Sequence, residues 1–312
     1  GHQGANAAFA LNDEALENFA YAALKKTRDV AVHIMKVHYG REPAYTYFVG
    51  SSQGGREGLM VTQRFPQDYD GVLSRVPVIS FTGLQIASNR IGAGLVRGGW
   101  MNKAQIALLA QAQRALCDGR DGLEDGIISN DDACDFDPDT LRCPGGASAG
   151  DHCLSDAQIE FVRQLWSPTT FDFPLANGVP VYPGWPRGQE DLPGCWDLWV
   201  MGPTPPPAVQ PPGTEPLPSL LATLGAQFIR YFIVRDPNFQ TYDFDHNDPR
   251  WRDRLQEVSA LVDATDPDLS AFYRRGGKLI LVAHMADAQS PYALIDYYNR
   301  VVETLGREVT DR

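Results

Sequence analysis

The sequence has 312 residues, and its 27 basic and 39 acidic side chains give a net charge of −12. A chain this acidic argues against nucleic acid as a partner. Hydrophobic residues make up 43% of the chain, enough for a packed core, so global disorder is excluded. No segment has about 18 consecutive apolar residues, so neither a membrane-spanning helix nor a membrane partner is predicted. The chain starts at Gly1 without Met or a signal peptide, and we expect it to be an interior piece of a longer product.

Three parts of the chain differ in composition. All six Trp, all five Cys and most of the 23 Pro lie between residues 79 and 270. Residues 1–78 and 271–312 instead alternate between helical patterns and short apolar runs, which is typical of a parallel α/β sheet. We therefore predict a core formed by residues 1–78 and 271–312, and a loop-rich insertion at residues 79–270. Within the insertion, Pro203 to Pro218 is predicted to be an extended, proline-rich connector.

The first core segment predicts two helices and two strands. Apolar residues recur mostly every three or four positions from Asp13 to Tyr39, and Gly40 follows, which predicts an amphipathic helix. The β-branched and aromatic run from Tyr45 to Val49 predicts a short buried strand. A second helix is expected over Gly55 to Phe65, ended by the following proline, and a second strand over Gly71 to Val76.

A Gly-rich turn lies between the first predicted strand and the second helix. Residues 50–55, with the sequence GSSQGG, fit the nucleophile-elbow pattern G-x-S-x-G with Ser52 at its centre. Small neighbours allow the sharp turn that raises a nucleophilic hydroxyl above the sheet edge. The backbone N–H of Gln53, at the helix N-terminus, is positioned to stabilise a tetrahedral oxyanion. The alternative is a turn without chemistry, but the flanking strand and helix favour catalysis, and at Ser52 rather than Ser51.

The second core segment supplies a candidate acid. Lys278 to Ala283 predicts another buried strand, and Pro291 to Glu303 predicts a helix. Hydrolases of this architecture place the triad acid after a later strand, and Asp287 has that place. It would orient and support a catalytic imidazole. Position alone is equally compatible with a helix-capping or surface carboxylate.

The general base is the missing member of a serine, acid and histidine triad. None of the six histidines has a convincing place, and each is more simply a surface or structural residue. They are His2, His33, His38, His152, His246 and His284. If the order Ser, acid, His holds, the base follows Asp287, yet no histidine occurs between there and Arg312. We therefore expect the catalytic histidine beyond Arg312.

An acidic loop and five cysteines mark the insertion. Asp118, Asp121 and Asp125 occur within eight residues and are separated by glycines. Clustered carboxylate oxygens suit Ca²⁺, but the spacing is not that of an EF-hand, and the residues alone favour a solvated acidic turn. Five cysteines in a proline-rich segment indicate an oxidising compartment. Zinc is disfavoured because no C-x-x-C pair accompanies them.

Several motifs, in order, resemble the tannase and feruloyl esterase family of α/β-hydrolases, over nearly the whole chain. They are GHQG at residues 1–4, the serine elbow followed by REGL at 56–59, DYDG at 68–71, the acidic Gly-rich loop, ATDPDLS at 264–270, GGKLI at 276–280 and IDYY at 295–298. The resemblance implies an α/β-hydrolase parallel sheet core, incomplete at both ends, with a large loop-rich lid insertion. It also implies that Ser52 is the nucleophile and Asp287 the triad acid.

The resemblance further implies roles for lid residues. A structural Ca²⁺ is implied, held by the carboxylates of Asp118, Asp121 and Asp125 and the backbone carbonyls of Leu123 and Ile127. Two disulfides are implied, Cys117–Cys134 and Cys143–Cys153. Cys195 is left over, either as a buried thiol or as the partner of a residue outside the chain. Family members usually carry Cys immediately before the nucleophile, bonded to Cys after the catalytic His. Ser51 replaces the first of these, so this link between catalytic loops is absent.

The implied function is a secreted or periplasmic serine esterase that hydrolyses small aromatic esters through an acyl-enzyme. Feruloyl, galloyl and terephthalate half-esters all remain open, as does the oligomeric state. For the six Trp of the lid, core packing is favoured, with a few expected to line the cleft. Because the base and one oxyanion donor would lie outside the chain, we expect the chain alone to be almost inactive. The alternative is a non-catalytic or vestigial binding module that has lost the base.

Overall fold

A parallel sheet and a β-hairpin make up the strand content of the computed structural model, which describes residues 6–209 and 218–311. The five strands are β1 (Tyr47–Ser51), β2 (Gly71–Arg75), β3 (Thr169–Leu175), β4 (Val179–Tyr182) and β5 (Lys278–Val282). Strands β1, β2 and β5 pair in parallel with β2 in the middle, and β3 and β4 pair antiparallel within the insertion. The parallel sheet confirms the predicted α/β class.

Helices surround the sheet and build most of the insertion. In the described ranges they are α1 (Asp13–Glu17), α2 (Ala23–Tyr39), α3 (Gln53–Arg64), α4 (Phe81–Gly94), α5 (Lys103–Cys117), α6 (Asp156–Trp166), α7 (Leu220–Phe228), α8 (Arg252–Val262), α9 (Ser270–Arg274), α10 (Tyr292–Leu305) and α11 (Arg307–Thr310). Wider π-helical turns continue three of these helices, at Asn18–Ala22, Leu95–Gly99 and Ile229–Val234, and a separate π-helical turn lies at Trp196–Val200. Short 3₁₀ turns supply many of the other connections, at Ala8–Leu11, Asp118–Asp121, Asp131–Ala133, Pro138–Leu141, Pro144–Gly146, Ala176–Gly178 and Pro249–Trp251.

The predicted core elements are all present, with limits that shift by one or two residues. The predicted helix from Asp13 to Tyr39 is interrupted by the π-helical turn Asn18–Ala22 and ends as expected, with Gly40 in the left-handed region at φ +69°. Strand β1 runs two residues further toward the serine turn than predicted. Helix α3 begins at Gln53 instead of Gly55, because the carbonyl of Ser52 already accepts the N–H of Arg56.

The predicted burial of the core strands is wrong for one face of the sheet. Tyr47 and Val49 of β1 are 68% and 70% exposed, and Ile280 of β5 is 62% exposed. Val30 and Ile34, on the apolar stripe of α2, are also exposed. The apolar runs were expected to be covered, but β1 and β5 are the edges of the described sheet, and no described element lies over these side chains.

The insertion carries its own hydrophobic cores. One surrounds Leu109 of α5, Val162 of α6 and Trp196. A second joins α4, the turn Ile229–Val234 and α8 to the N-terminal segment, which packs Phe9 and Phe19 against Phe232. The segment before α2 therefore contacts the insertion, and this contact forms one wall of the site described below.

Two disulfides hold the insertion locally. They are Cys117–Cys134 and Cys143–Cys153, as the resemblance implied. Cys195 has no disulfide partner in the described part of the chain, and burial raises the pKa of its thiol to about 12. The GHQG motif and residues 210–217 of the proline-rich connector lie outside the described residues. None of the helices described is long and apolar enough to cross a membrane.

Candidate active site

Ser52 stands at the turn between β1 and α3 in a backbone conformation that side chains rarely adopt. Its φ is +58° and its ψ is −117°. The turn is held from both sides, because the Ser52 N–H donates to the carbonyl of Arg75 (3.0 Å) and the Ser52 carbonyl accepts from Arg56 (3.1 Å) and Val78 (3.3 Å). Such strain persists only where surrounding contacts impose it, and it clusters at active sites.

Gly50 is the glycine that the turn requires for close packing. A Cβ at this position would lie 2.1 Å from the carbonyl oxygen of Gly54, far inside contact distance. A Cβ on Gly54 itself would meet nothing within 4 Å. The first glycine of the G-x-S-x-G pattern therefore has a steric role here, which the sequence pattern alone did not separate from that of the second.

Arg56, the first residue of the REGL motif, supports the serine turn from beneath. The sequence pattern did not predict this role. It is fully buried, and its guanidinium donates to the carbonyls of Phe19, Ala20 and Val262 at 2.8–3.1 Å. Its Nε donates to the side-chain oxygen of Gln53 at 3.2 Å. Burial lowers the pKa of Arg56 to about 10, so it stays charged at neutral pH. Arg56 thus connects α3 to the N-terminal segment and to the end of α8.

Asp287 lies on the loop between β5 and α10, half-buried, and its side chain reaches the same cavity as Ser52. Burial raises the pKa of Asp287, against the opposing effect of backbone N–H groups that include Gln289 at 3.3 Å. The side chain of Gln289 donates to the carbonyl of Val76, a β-branched residue held at φ +39°. Val76 lies two residues before Val78, so the turn after β2 connects the acid loop to the serine turn.

The cavity that contains Ser52, Gln53 and Asp287 has a volume of about 740 Å³, within the usual range for small-molecule sites. Its walls are mainly apolar, with six aromatic side chains among them, and they come largely from the N-terminal segment, α4, α7 and the turns next to them. These aromatic residues are Phe9, Phe19, Phe81, Trp199, Phe228 and Phe232. A second groove, along β5 and α10, contains neither Ser52 nor Asp287. The structure therefore brings the predicted nucleophile and acid together at one aromatic cavity.

The lid tryptophans behave largely as expected. Trp185 and Trp196 are buried in the core of the insertion, and of the six only Trp199 lines the cavity. The phenylalanines of the wall were not singled out from the sequence. They come from segments some 200 residues apart, and isolated Phe residues in apolar helices carry no signal that distinguishes a cavity wall from a core.

No histidine in the described ranges lines the cavity. His33 and His38 are exposed on α2, and His152 and His284 are exposed on loops. His246 is half-buried and its Nε2 lies 2.9 Å from the carbonyl oxygen of Thr170. His2 lies outside the described residues. For the five described histidines, this geometry is compatible with the expectation that none of them is the general base.

The acidic loop is closed by its own carboxylates. Asp118 accepts the N–H of Gly126 at 3.0 Å, Asp121 accepts from Leu123 and Ser129, and Asp125 accepts from Ile127. These backbone bonds lower the pKa of Asp121, so it is ionised at neutral pH. No group of three or more metal-ligating side chains converges within the described residues. In this conformation the three carboxylates accept hydrogen bonds from backbone N–H groups of their own loop, and they do not converge on one point.

Comparison with known proteins decides the family. The family described as tannase and feruloyl esterase matches residues 1–312. The chain belongs to this family. The motifs quoted from the sequence had predicted it, and the match confirms that resemblance.

Relatives in the tannase and feruloyl esterase family come from bacteria and fungi. An uncharacterised esterase of Agrobacterium fabrum is 32% identical over 99% of this chain and 57% of its own length. Mono(2-hydroxyethyl) terephthalate hydrolase of Piscinibacter sakaiensis is 30% identical, over 94% of this chain and 54% of its own. Feruloyl esterase B from Aspergillus oryzae, a crystal structure, shares 27% identity and a TM-score of 0.78, covering 97% of this chain and 57% of that one. The chain thus spans about half the length of the relatives it matches.

Proposed function

We propose that this chain forms the nucleophile, acid and lid part of a serine carboxylic-ester hydrolase that acts on esters of aromatic acids. The observation that carries the proposal is Ser52, held at φ +58° between strand and helix and facing the same aromatic cavity as Asp287. A turn without chemistry gives no reason to maintain such strain beside a cavity. The same observation favours catalysis over a vestigial binding module.

In the proposed reaction, Ser52 Oγ attacks the ester carbonyl carbon while a histidine accepts its proton. The backbone N–H of Gln53 stabilises the oxyanion of the tetrahedral intermediate. The intermediate collapses with loss of the alcohol, which takes the proton from the imidazolium, and water then hydrolyses the acyl-enzyme by the same sequence. Asp287 orients the imidazole and stabilises its positive charge. The histidine is none of the five described ones.

The aromatic walls suit the acyl group of the substrate. Phe19, Phe81 and Phe232 meet one another edge-on or tilted, with ring centroids 5.6–6.0 Å apart. A planar aromatic acid buried among them would gain both apolar burial and favourable ring contacts, the latter about 0.5–1.5 kcal/mol for each pair. An aliphatic acyl group would lose that second contribution.

Covalent labelling tests the assignment of the nucleophile. A fluorophosphonate probe should label the full polypeptide encoded by the gene and its Ser51→Ala variant, but not Ser52→Ala. Ser51 is the matched control, because it is the neighbouring residue on the same turn. Labelling that survives Ser52→Ala would contradict the proposal.

We also propose that the loop from Asp118 to Ile127 binds one structural Ca²⁺, through the three aspartates and the carbonyls of Leu123 and Ile127. Support comes from three hard carboxylates on a loop of ten residues that is already closed on itself. Calcium binding would require the carboxylates to turn from backbone N–H groups toward a common centre. EDTA should then lower the melting temperature of wild type but not of Asp121→Ala; equal melting of wild type with and without EDTA would reject the metal.

The two disulfides support a secreted or periplasmic location, since such bonds persist in oxidising compartments. Reduction gives a direct check. Dithiothreitol should lower the melting temperature of protein purified without reductant, and mass spectrometry of that protein should show Cys117, Cys134, Cys143 and Cys153 protected from alkylation. Free thiols at these four positions in protein recovered from its natural compartment would contradict the location.

A further inference from the structure

The loop that carries Asp287 lies between β5 and α10, and residues 283–291 belong to neither element. No regular helix or sheet hydrogen bonds therefore fix the direction of the carboxylate. On the side of the core, the side chain of Gln289 donates to the carbonyl of Val76. A catalytic group works well only when its position is fixed to within about 0.5 Å. The contacts on the other side of the loop thus decide how firmly Asp287 is held.

One residue of this loop is bonded twice to the insertion. The N–H of Ser290 donates to the hydroxyl oxygen of Tyr182 at 2.9 Å, and the Ser290 hydroxyl donates to the carbonyl of Gly184 at 2.6 Å. Ser290 and Tyr182 are each 2% exposed, so water does not compete for these bonds. Burial, and to a smaller extent the charge of Asp287, raises the pKa of the Tyr182 hydroxyl, which therefore stays neutral.

A tryptophan of the insertion holds the residue next to the acid. The indole N–H of Trp185 donates to the carbonyl of Ala288 at 3.1 Å. Ala288 follows Asp287 in the chain and lines the Ser52 cavity with it. The rings of Tyr182 and Trp185 also contact each other, with centroids 5.8 Å apart. Three hydrogen bonds from residues 182–185 therefore hold the main chain on the C-terminal side of the proposed acid.

Residues 182–185 are themselves anchored in the buried core of the insertion. The N–H of Trp185 donates to the carbonyl of Leu165, at the end of α6, at 3.1 Å. A Cβ on Gly184 would lie 2.0 Å from the carbonyl oxygen of Trp166, so the two main chains pack directly against each other. A support that ends on a packed core resists displacement better than one that ends on a surface loop. The insertion thus gives the Asp287 loop a fixed support.

We propose that Tyr182 and Ser290 are positioning residues for Asp287, and that through them the insertion sets the direction of the triad carboxylate. Neither is among the described residues that line the Ser52 cavity, so they act through the loop and not on the substrate. Loss of either hydrogen bond should leave the cavity walls in place and allow the carboxylate to turn. The inference rests on the proposed esterase function, and it predicts a fall in kcat without a matching rise in KM.

A double-mutant cycle on the full polypeptide tests the inference. Tyr182→Phe removes only the hydroxyl that accepts the Ser290 N–H, and Ser290→Ala removes only the bond to Gly184. We expect each change to lower kcat for methyl 4-hydroxycinnamate by about 10–100-fold, with KM within about twofold of wild type. In the Asp287→Asn background the same changes should lower kcat by less than about twofold, because their effect passes through that carboxylate.

Tyr297→Phe is the matched control for the loss of a buried tyrosine hydroxyl. Tyr297 is also 2% exposed, and it lies in the core between α3 and α10. Its hydroxyl donates to the carbonyl of Asp266 at 3.0 Å and accepts from Gln63 at 3.1 Å. Both tyrosine variants should therefore lower the melting temperature, but only Tyr182→Phe should lower kcat.

The outcomes separate this inference from the function on which it rests. Absent hydrolysis by wild type together with absent fluorophosphonate labelling would defeat the proposed function. With an active wild type, a kcat within twofold of wild type in either Tyr182→Phe or Ser290→Ala overturns the inference alone. A loss that persists in full in the Asp287→Asn background, or an equal loss in Tyr297→Phe, overturns it as well. If Tyr182→Phe does not fold, the cycle between Ser290→Ala and Asp287→Asn still decides.

Discussion

At the scale of single residues, the serine turn shows how little space the backbone leaves beside Ser52, the proposed nucleophile. The ideal Cβ at Gly50 would lie 2.1 Å from the Gly54 carbonyl oxygen, which is backbone and cannot rotate away. The Gly54 position is open. The two glycines of the motif should therefore respond very differently to the same added methyl group.

We expect Gly50→Ala to shift the turn and abolish fluorophosphonate labelling of Ser52, with a loss of stability of about 1–3 kcal/mol from overpacking. Gly54→Ala should label at a rate close to that of wild type. Labelling rates and thermal melting of both variants, in the full polypeptide, provide the measurement. Equal labelling of the two would show that the close approach does not constrain the turn.

The sequence could predict this turn because all its information is local. Ser52, Gln53 and the glycines lie within six residues, and the conformation follows from their own backbone requirements. Arg56 could not be assigned in the same way. Arg56 acts through the carbonyls of Ala20 and Val262, 36 and 206 residues away, and such contacts leave no periodic or compositional signal.

At the scale of elements, helix α5 and the loop after β4 are joined by a buried carboxylate. Gln113 donates to Glu190 Oε1 at 3.0 Å, and the N–H of Gly188 donates to Glu190 Oε2 at 2.9 Å. Glu190 is fully buried, and this burial raises its pKa to about 7 despite the two donors. The folded protein therefore retains a proton on Glu190 over a pH range in which the unfolded chain has lost it.

This linkage gives Glu190 a definite pH dependence. Below pH 4.5 both states are protonated, and between about pH 4.5 and 7 only the folded state is, so the free energy of unfolding falls as pH rises. The loss amounts to roughly 3 kcal/mol, at 1.36 kcal/mol for each unit of pKa difference. We expect the melting temperature of Glu190→Gln to fall less than that of wild type when the pH is raised from 5 to 8.

Glu160→Gln, an exposed substitution on α6, is the matched control for that comparison. Glu160→Gln also removes one acidic side chain from the insertion. It therefore reports how losing one exposed carboxylate changes the pH dependence of stability in a protein of net charge −12. Only the difference between the two variants is assigned to burial. Parallel melting curves for Glu190→Gln, Glu160→Gln and wild type across this range would mean that Glu190 titrates as an exposed residue.

Whole elements were predicted better than their surroundings. The core strands and helices appear within one or two residues of their predicted limits, because apolar period and turn residues are local properties. The coverage of their faces was predicted wrongly. An apolar run such as the one in β5 indicates that something covers it, but it does not specify the covering segment, and Ile280 is left exposed among the described residues.

At the scale of the whole molecule, the candidate site combines three distant parts of the chain. The proposed nucleophile, Ser52, follows β1, the proposed acid, Asp287, follows β5, and the aromatic side chains of the walls come from the N-terminal segment and the insertion. Parallel strands bring Ser52 and Asp287 to the same edge of the sheet, since β1, β2 and β5 share one direction. The lid then encloses the space above them. The sequence predicted this order of parts, and the family match confirms the class of fold.

The proposed mechanism also needs a general base, and among the described histidines His284 is the first to test by mutation. It lies three residues before Asp287, whose pKa is raised by burial and only slightly offset by His284, yet the His284 side chain is exposed and does not line the cavity. In the full polypeptide, Asp287→Asn should reduce kcat for methyl 4-hydroxycinnamate by about 10³–10⁴-fold, because an unoriented imidazole cannot accept the Ser52 proton. His284→Ala should stay within about twofold of wild type in the same assay. A collapse of activity in His284→Ala, with fluorophosphonate labelling lost as well, would instead identify His284 as the base and reverse the order of the acid and histidine along the chain.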